Sequence, residues 1–270
     1  MGKKYDSAPI ETKRSRKTIY LLPNLLTSAS LFSGFYALIA AIQGRFVPAA
    51  IAILVASVFD GMDGRVARLT GTTSKFGVEY DSLSDLIAFG VAPAVLAFMW
   101  GLSGFGRLGW LAAFLYVATT ALRLARFNVL SHSGVSSKKY FLGLPCPSAA
   151  AMVATSVLIA QHIGINGPVR HFSVLVMIYV LSFLMVSSVR YTSFKEVRWF
   201  QRHPFTGVVG LILAIMVLAI QPKVTLFIVM ATYVLSGPLL MTFRILFPVK
   251  KEARSDEHKV VKCCGDNKDE

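Results

Sequence analysis

Acidic residues and cysteines are scarce in this 270-residue chain, which has 14 Asp and Glu against 28 Lys and Arg and contains three cysteines. Cys146, Cys263 and Cys264 are not spaced as a set of metal ligands, and the five histidines are scattered along the chain. The sequence therefore offers no thiolate site for zinc. Any metal site must use oxygen ligands.

Charge of either sign is also rare, since only 16% of the residues are charged while 54% are apolar and the mean hydropathy is +0.59. These values exclude an ordinary soluble domain and indicate a polytopic membrane protein. We predict an all-α membrane bundle of about eight transmembrane helices, because apolar runs long enough to cross a bilayer recur along the chain. They lie near residues 19–42, 47–69, 77–100, 108–129, 146–163, 171–189, 205–220 and 224–247.

Basic residues are distributed unequally between the two ends of these predicted helices. If both termini are cytoplasmic, the four outer connections carry one basic residue each, namely Arg45, Arg107, Arg170 and Lys223. The remaining 24 of the 28 Lys and Arg then lie at the inner face, as the positive-inside rule expects.

Three regions follow from this topology: a basic cytoplasmic tail at 1–18, a transmembrane domain at 19–248 and a polar cytoplasmic tail at 249–270. The net charge of +14 is explained by attraction to anionic lipid at the cytoplasmic leaflet. No nucleic-acid partner is expected, since no binding fold or aromatic-basic platform accompanies the charge.

The few acidic residues are concentrated in one place. Between residues 19 and 247 the only acid outside the segment 60–85 is Glu196. At 100° per residue, Asp60 and Asp63 share one face of the second predicted helix, and Asp81 and Asp85 share one face of the third, whereas Glu79 points away. Carboxylates beside the hydrocarbon phase are costly unless they pair, bind a cation or face a wet cavity. We therefore expect the four aspartates to converge on a functional site.

Repulsion among four adjacent carboxylates is relieved by divalent cations, and hard oxygen ligands favour Mg²⁺, Mn²⁺ or Ca²⁺. Two such ions about 4 Å apart clamp a phosphoryl group and stabilise the leaving oxygen. A cation-coupled transporter is a rival interpretation, because intramembrane acids also mark ion paths. Their clustering at one membrane face beside Arg68 and glycines argues against it.

The pattern Asp60-x2-Asp63-Gly64-x2-Ala67-Arg68-x8-Gly77-x3-Asp81-x3-Asp85 resembles the signature of the CDP-alcohol phosphotransferase family at all eight fixed positions. The family consists of membrane enzymes that transfer a phosphatidyl or related group from a CDP-linked donor to an alcohol and release CMP. The resemblance implies a two-metal centre, with Mg²⁺ or Mn²⁺ held by Asp60, Asp63, Asp81 and Asp85. It also implies that Asp85 is the general base.

The same resemblance implies a set of contacts to the CDP part of the donor, made by Asn24, Thr27, Gly64, Arg68 and Ser74. The glycine allows close approach of the nucleotide, and the arginine neutralises phosphate. Free N–H groups at the start of the first helix, where Asn24 and Thr27 lie, favour phosphate on physical grounds as well.

Segments 121–128 and 143–150 resemble the members of this family that use serine as the acceptor, with Cys146 replacing an expected small residue such as serine. The implied reaction transfers the phosphatidyl group of CDP-diacylglycerol to L-serine and yields phosphatidylserine and CMP. Since serine carries a carboxylate, Arg123 or Arg126 is a candidate serine-binding residue. Snorkelling of either arginine to lipid headgroups is the alternative. Glycerol 3-phosphate, inositol phosphate or choline remain alternative acceptors.

The resemblance further implies a multi-pass protein of the bacterial inner membrane, with the active site at its cytoplasmic face. A homodimer is expected on the same ground.

Overall fold

The computed structural model describes residues 21–71, 74–132, 140–164, 172–187, 189–192, 210, 216 and 220–246. Both predicted tails, Arg170, Glu196, Cys263, Cys264 and most of the predicted helix at 205–220 lie outside these residues.

The described part is helical, with one short strand pair. It contains eight α-helices, α1 (Leu21–Ile42), α2 (Phe46–Thr70), α3 (Lys75–Asp85), α4 (Ala92–Ala97), α5 (Arg107–His132), α6 (Cys146–His162), α7 (Phe172–Val186) and α8 (Pro222–Leu246). Between them lie π-helical turns at Leu86–Val91 and Phe98–Leu102, a 3₁₀ turn at Ser103–Phe105, and strands β1 (Tyr140–Leu142) and β2 (Arg190–Thr192).

Five stretches in the described part are long and apolar enough to cross a membrane: Leu22–Ile42, Phe46–Thr70, Phe76–Phe105, Arg107–Leu130 and Pro222–Leu239. Helix α7 is a shorter apolar helix. Large aromatic side chains on the outer surface are widely exposed, for example Phe32 at 71% and Phe183 at 75%. Such exposure suits contact with lipid rather than water. The predicted class, a helical membrane bundle, is confirmed.

Small residues allow the first three spanning segments to pack closely. Helices α1 and α2 form a hairpin whose contact is rich in buried alanines, and Gly44 in its turn has a φ of +73°. A Cβ at Gly34 of α1 would lie 2.6 Å from the Cα of Ala88, so no larger residue fits there without movement. This contact brings α1 against the third segment one turn beyond Asp85.

The third spanning segment, Phe76–Phe105, is not a uniform α-helix. The π-helical turn Leu86–Val91 begins directly after Asp85, and the backbone N–H of Ala92 donates to the carbonyl of Ile87, five residues earlier. Such turns often occur at functional sites inside α-helices.

The strand pair was not predicted from the sequence. Strands β1 and β2 are antiparallel, with Phe141 opposite Tyr191. Gly143 follows β1 with a φ of +80°, and a Cβ there would overlap the Met185 carbonyl oxygen, so glycine is required on two counts. The pair connects the start of α6 to the end of α7 and buries the ring of Tyr191 completely.

Candidate active site

Three aspartates from two helices meet at one end of the bundle. One carboxylate oxygen each from Asp60, Asp63 and Asp81 lies within 4.8 Å of the other two. Asp60 and Asp63 lie on one face of α2 near its end, and Asp81 lies on the inward face of α3. Asp63 is buried, with 4% of its surface exposed, while Asp60 and Asp81 are half-buried. The convergence of these three residues agrees with the helical spacing in the sequence.

Asp85 completes the cluster from the last position of α3. Its carboxyl group lies within hydrogen-bonding distance of the Asp60 carboxyl, and its charge also interacts with those of Asp81 and Asp63. Among the described residues, the buried Oδ1 atom of Asp85 has no hydrogen-bond partner. Carboxylates this close to one another repel unless a cation or shared protons intervene. The structure thus brings together all four aspartates that the sequence predicted.

Thr27 of α1 holds one of these carboxylates. Its hydroxyl donates a 2.8 Å hydrogen bond to Oδ2 of Asp63. The hydroxyl of Ser84 in turn donates to the Thr27 carbonyl at 3.2 Å, so α1, α2 and α3 are tied together by a polar chain behind the aspartates. Thr27 was predicted as a contact to the CDP group, but its hydroxyl contacts an aspartate here. The role of Ser84 was not predicted, although its position on the Asp81 and Asp85 stripe was a usable signal.

A second polar group links the starts of α1 and α3. Ser74 caps α3, accepting a 2.9 Å hydrogen bond from the backbone N–H of Gly77. The side-chain oxygen of Asn24 lies beside Gly77, where a Cβ would approach it to 3.5 Å. Ser28 and Tyr80 form a 2.9 Å hydrogen bond between their hydroxyls. The predicted donor contacts Asn24 and Ser74 therefore lie together at the mouth of the site.

Gly64 and Arg68 lie one turn apart on α2, just beyond Asp63. The Arg68 guanidinium folds back over Gly64, since a Cβ at that glycine would lie 3.9 Å from Nη2 of the arginine. Arg68 is exposed, and the space over Gly64 is otherwise open. A cationic group and an uncovered backbone thus adjoin the carboxylates, which suits the approach of a phosphate.

The two candidate serine-binding arginines differ in their surroundings. Arg126 is exposed on α5. Arg123 is half-buried, donates from Nη1 to the sulfur of Cys146 at 3.3 Å, and has a buried Nε without a hydrogen-bond partner in the described part of the chain. Cys146 also lies close enough to Asp85 for their charges to interact. The structure therefore brings Arg123, and not the exposed Arg126, to Cys146, the residue that lies toward Asp85.

A cavity of about 250 Å³ lies at the other end of the bundle, lined by residues that include Arg45, Trp100 and Gln161. It is formed around the α1–α2 turn, whereas the aspartates lie near the end of α2. The cavity is therefore separate from the aspartate cluster.

The residues in the aspartate cluster fit divalent metal. All available ligands are hard oxygen atoms, which suit Mg²⁺ or Mn²⁺. Asp85 presents a buried oxygen that has no partner in the described part of the chain, and Thr27 orients Asp63 as an outer ligand shell would.

The family model described as CDP-alcohol phosphatidyltransferase matches residues 20–186. The chain belongs to this family. The matched region includes every residue of the site described so far, from Asn24 to Cys146, and it ends before α8. The resemblance inferred from the signature at residues 60–85 is confirmed.

Curated relatives in this family cover most of the chain. A CDP-diacylglycerol–serine O-phosphatidyltransferase of Helicobacter pylori is 38% identical over 238 residues, which is 87% of this chain and 98% of the relative. The enzyme of the same name from Mycobacterium leprae is 30% identical over 91% of this chain and 83% of its own length. An archaetidylserine synthase of Methanothermobacter thermautotrophicus is 38% identical over 63% of this chain and 69% of its own length.

Proposed function

We propose that this family member transfers the phosphatidyl group of CDP-diacylglycerol to the hydroxyl of L-serine, which yields phosphatidylserine and CMP. The relatives from Helicobacter pylori and Mycobacterium leprae carry the name of this activity. The observation that carries the proposal is the convergence of four aspartates, with the half-buried Arg123 held at Cys146 on the side toward Asp85. The aspartates suit phosphoryl transfer, and the arginine suits an acceptor that carries a carboxylate.

The metal site is formed by Asp60, Asp63, Asp81 and Asp85, which would hold two Mg²⁺ or Mn²⁺ ions. When bound, these ions neutralise the pyrophosphate and stabilise the charge that develops on the leaving oxygen. Thr27 keeps Asp63 oriented through its 2.8 Å hydrogen bond.

The donor binds across the mouth of the site. Gly64 leaves its backbone open to the nucleotide, and Arg68 above it pairs with phosphate. Asn24, Thr27 and Ser74 complete the donor contacts, with Thr27 acting through Asp63 and Ser74 through the start of α3. The acyl chains of the donor remain in the lipid.

The chemical step is a displacement at the β-phosphorus, which carries the diacylglycerol. Asp85 accepts the proton of the serine hydroxyl as its oxygen forms the new bond to phosphorus. The bond from that phosphorus to the oxygen of CMP breaks, and CMP leaves with the electron pair while Arg68 stabilises its charge. The proton passes from Asp85 to water. A carboxylate is a weak base, so this transfer takes place as the new bond forms, not before it.

Arg123 is the proposed partner of the serine carboxylate. Its buried Nε is a donor that has no hydrogen-bond partner among the residues the structure describes, and its Nη1 donates to Cys146, which lies toward Asp85. A comparison with Arg126 tests this assignment. Arg123→Gln should raise the KM for serine at least 10-fold, because a charged hydrogen bond is lost, whereas Arg126→Gln should change it less than about 3-fold. Equal effects of the two substitutions would contradict the assignment.

The membrane setting follows from the distribution of charge. We propose eight transmembrane helices, both termini in the cytoplasm and the site at the cytoplasmic face of a bacterial inner membrane. Two basic residues assigned to the outer face support this orientation, because Arg45 and Arg107 lie at the end of the bundle opposite the aspartates. We further propose a homodimer, on family resemblance.

The acceptor is tested by supplying the purified protein with CDP-diacylglycerol and Mn²⁺ and measuring CMP release. Serine, glycerol 3-phosphate, inositol phosphate and choline are compared as acceptors. CMP release that depends on serine, with phosphatidylserine as the lipid product, is the expected result. Release that depends on another of these alcohols would refute the acceptor and leave the reaction class intact.

A further inference from the structure

The last helix reaches the polar group around Arg123 with one side chain, Tyr233. Helix α8 packs along α6. Tyr233 is half-buried in the middle of α8, and its hydroxyl lies within hydrogen-bonding reach of the side chain of Ser148 in the first turn of α6. The charge of Arg123 also acts on this hydroxyl. Tyr233 thus adjoins the arginine assigned to the acceptor, although it lies outside the family match.

Tyr191 fixes the position of Tyr233. The two rings lie 5.6 Å apart between centroids, with an interplanar angle of 40°. The Tyr191 hydroxyl donates a 3.1 Å hydrogen bond to the carbonyl of Val234, the residue after Tyr233. Any Cβ at Gly237, one turn further, would overlap the Tyr191 ring. Tyr191 belongs to the strand pair and is fully buried, so its ring packs α8 onto the strand pair at this level.

The polar side chains at this level cluster around the start of α6. Cys146 receives the hydrogen bond from Arg123 and interacts with the charge of Asp85, and Ser148 lies two residues further on α6. Tyr233 therefore lies near Ser148 and Arg123, and Arg123 in turn donates to Cys146. The group formed by Arg123, Cys146, Ser148 and Tyr233 is named the acceptor pocket below.

We propose that Tyr233 is a specificity-determining residue whose hydroxyl, together with Arg123, binds the carboxylate of the amino-acid acceptor. This inference rests on the proposed function. Within the residues that the structure describes, the buried Nε of Arg123 has no hydrogen-bond partner, and its Nη1 already donates to Cys146. A carboxylate has two oxygens that accept several hydrogen bonds, so a second donor from a separate helix fixes its orientation. Ser148 keeps the Tyr233 hydroxyl in place for this contact.

The test compares Tyr233→Phe with a matched variant, Tyr179→Phe, in the full chain. Tyr179 also carries a hydrogen-bonded hydroxyl, which donates to the carbonyl of Leu108 at 3.3 Å, far from the aspartates. CMP release is measured with CDP-diacylglycerol and Mn²⁺ while serine and the donor are varied separately. We expect Tyr233→Phe to raise the KM for serine about 10- to 150-fold, as for the loss of a hydrogen bond to a charged group. The KM for CDP-diacylglycerol should change less than about 2-fold, and Tyr179→Phe should resemble the wild type.

Ser148→Ala gives a second measurement if Tyr233→Phe does not fold. It removes the hydroxyl that orients Tyr233 and should raise the KM for serine roughly 2- to 10-fold, the range expected for a neutral hydrogen bond. An unchanged KM for serine in either folded variant would overturn the inference. Equal increases in both KM values would overturn it as well, since they indicate a structural role only.

The wild type separates this inference from the proposed function. If it releases CMP with serine and the variants behave like it, only the role of Tyr233 is refuted. If it releases CMP only with an acceptor that lacks a carboxylate, both proposals are refuted.

Discussion

Replacing Thr27 by valine tests whether this residue acts on the metal site or on the donor. Valine has nearly the same shape as threonine but cannot donate the 2.8 Å hydrogen bond to Asp63. Asp63 has only 4% of its surface exposed, so water cannot readily replace the lost donor. The carboxylate oxygen is then left without its fixed partner, which costs about 1.5 to 3 kcal/mol for a hydrogen bond to a charged group.

This cost should appear as weaker metal binding, because Asp63 must be held in the orientation that coordinates the ion. Removing the partner of a metal ligand lowers metal affinity about 10- to 100-fold. We therefore expect Thr27→Val to raise the Mn²⁺ concentration for half-maximal CMP release by that factor. Thr27→Ser retains the hydroxyl and should restore most of the affinity.

The measurement is a Mn²⁺ titration of CMP release at saturating CDP-diacylglycerol, repeated at saturating Mn²⁺ with the donor varied. Ser28→Ala is the matched control, since it removes the neighbouring hydroxyl that bonds to Tyr80 rather than to an aspartate. If Thr27→Val left the Mn²⁺ dependence unchanged and raised only the KM for the donor, the hydrogen bond to Asp63 would not be its function. Thr27 would then be a direct donor contact.

Three further predictions concern the proposed base, a proposed metal ligand and the packing of α1. Asp85→Asn should lower kcat by about 10²- to 10⁴-fold, the usual contribution of a general base. Donor binding, measured by equilibrium dialysis, should persist in this variant. If the variant turned over at the wild-type rate, Asp85 would not be the base. Asp60→Asn should abolish both activity and Mn²⁺ binding, the latter measured by calorimetric titration. If the variant still bound Mn²⁺ as the wild type does, Asp60 would not be a ligand. Gly34→Ala should destabilise the fold by about 1 to 3 kcal/mol through overpacking, seen as a lower thermal midpoint in detergent. Gly61→Ala, at a helical position where a Cβ meets nothing within 4 Å, should not lower that midpoint.

Much of the helical framework could be predicted from the sequence, because a long apolar run has few alternatives to a spanning helix. The second predicted helix, 47–69, is observed as Phe46–Thr70, and the fourth, 108–129, as Arg107–His132. The convergence of Asp60 and Asp63 with Asp81 and Asp85 also followed from residue spacing, since helical periodicity determines which side chains share a face.

Contacts between distant segments could not be predicted in this way. The hydrogen bond from Thr27 to Asp63 depends on how α1 crosses α2, and neither residue has a distinctive sequence neighbourhood for that pairing. The choice between Arg123 and Arg126 required the position of Cys146 on α6. Tyr233 was not predicted, because 85 residues separate it from Ser148 and its helix lies outside the family signature.

The π-helical turn Leu86–Val91 after Asp85 determines how the two halves of the third spanning segment are rotated relative to each other. Its five-residue hydrogen bond accommodates one residue more than a regular helix would. If the same residues formed a regular α-helix without this wide turn, Asp81 and Asp85 would be rotated by about 100° relative to the half that follows. The orientation of these two carboxylates toward Asp60 and Asp63 therefore depends on this turn. A segment that formed an unbroken α-helix would still cross the bilayer, but two of the four aspartates proposed to bind metal would face away from the other two.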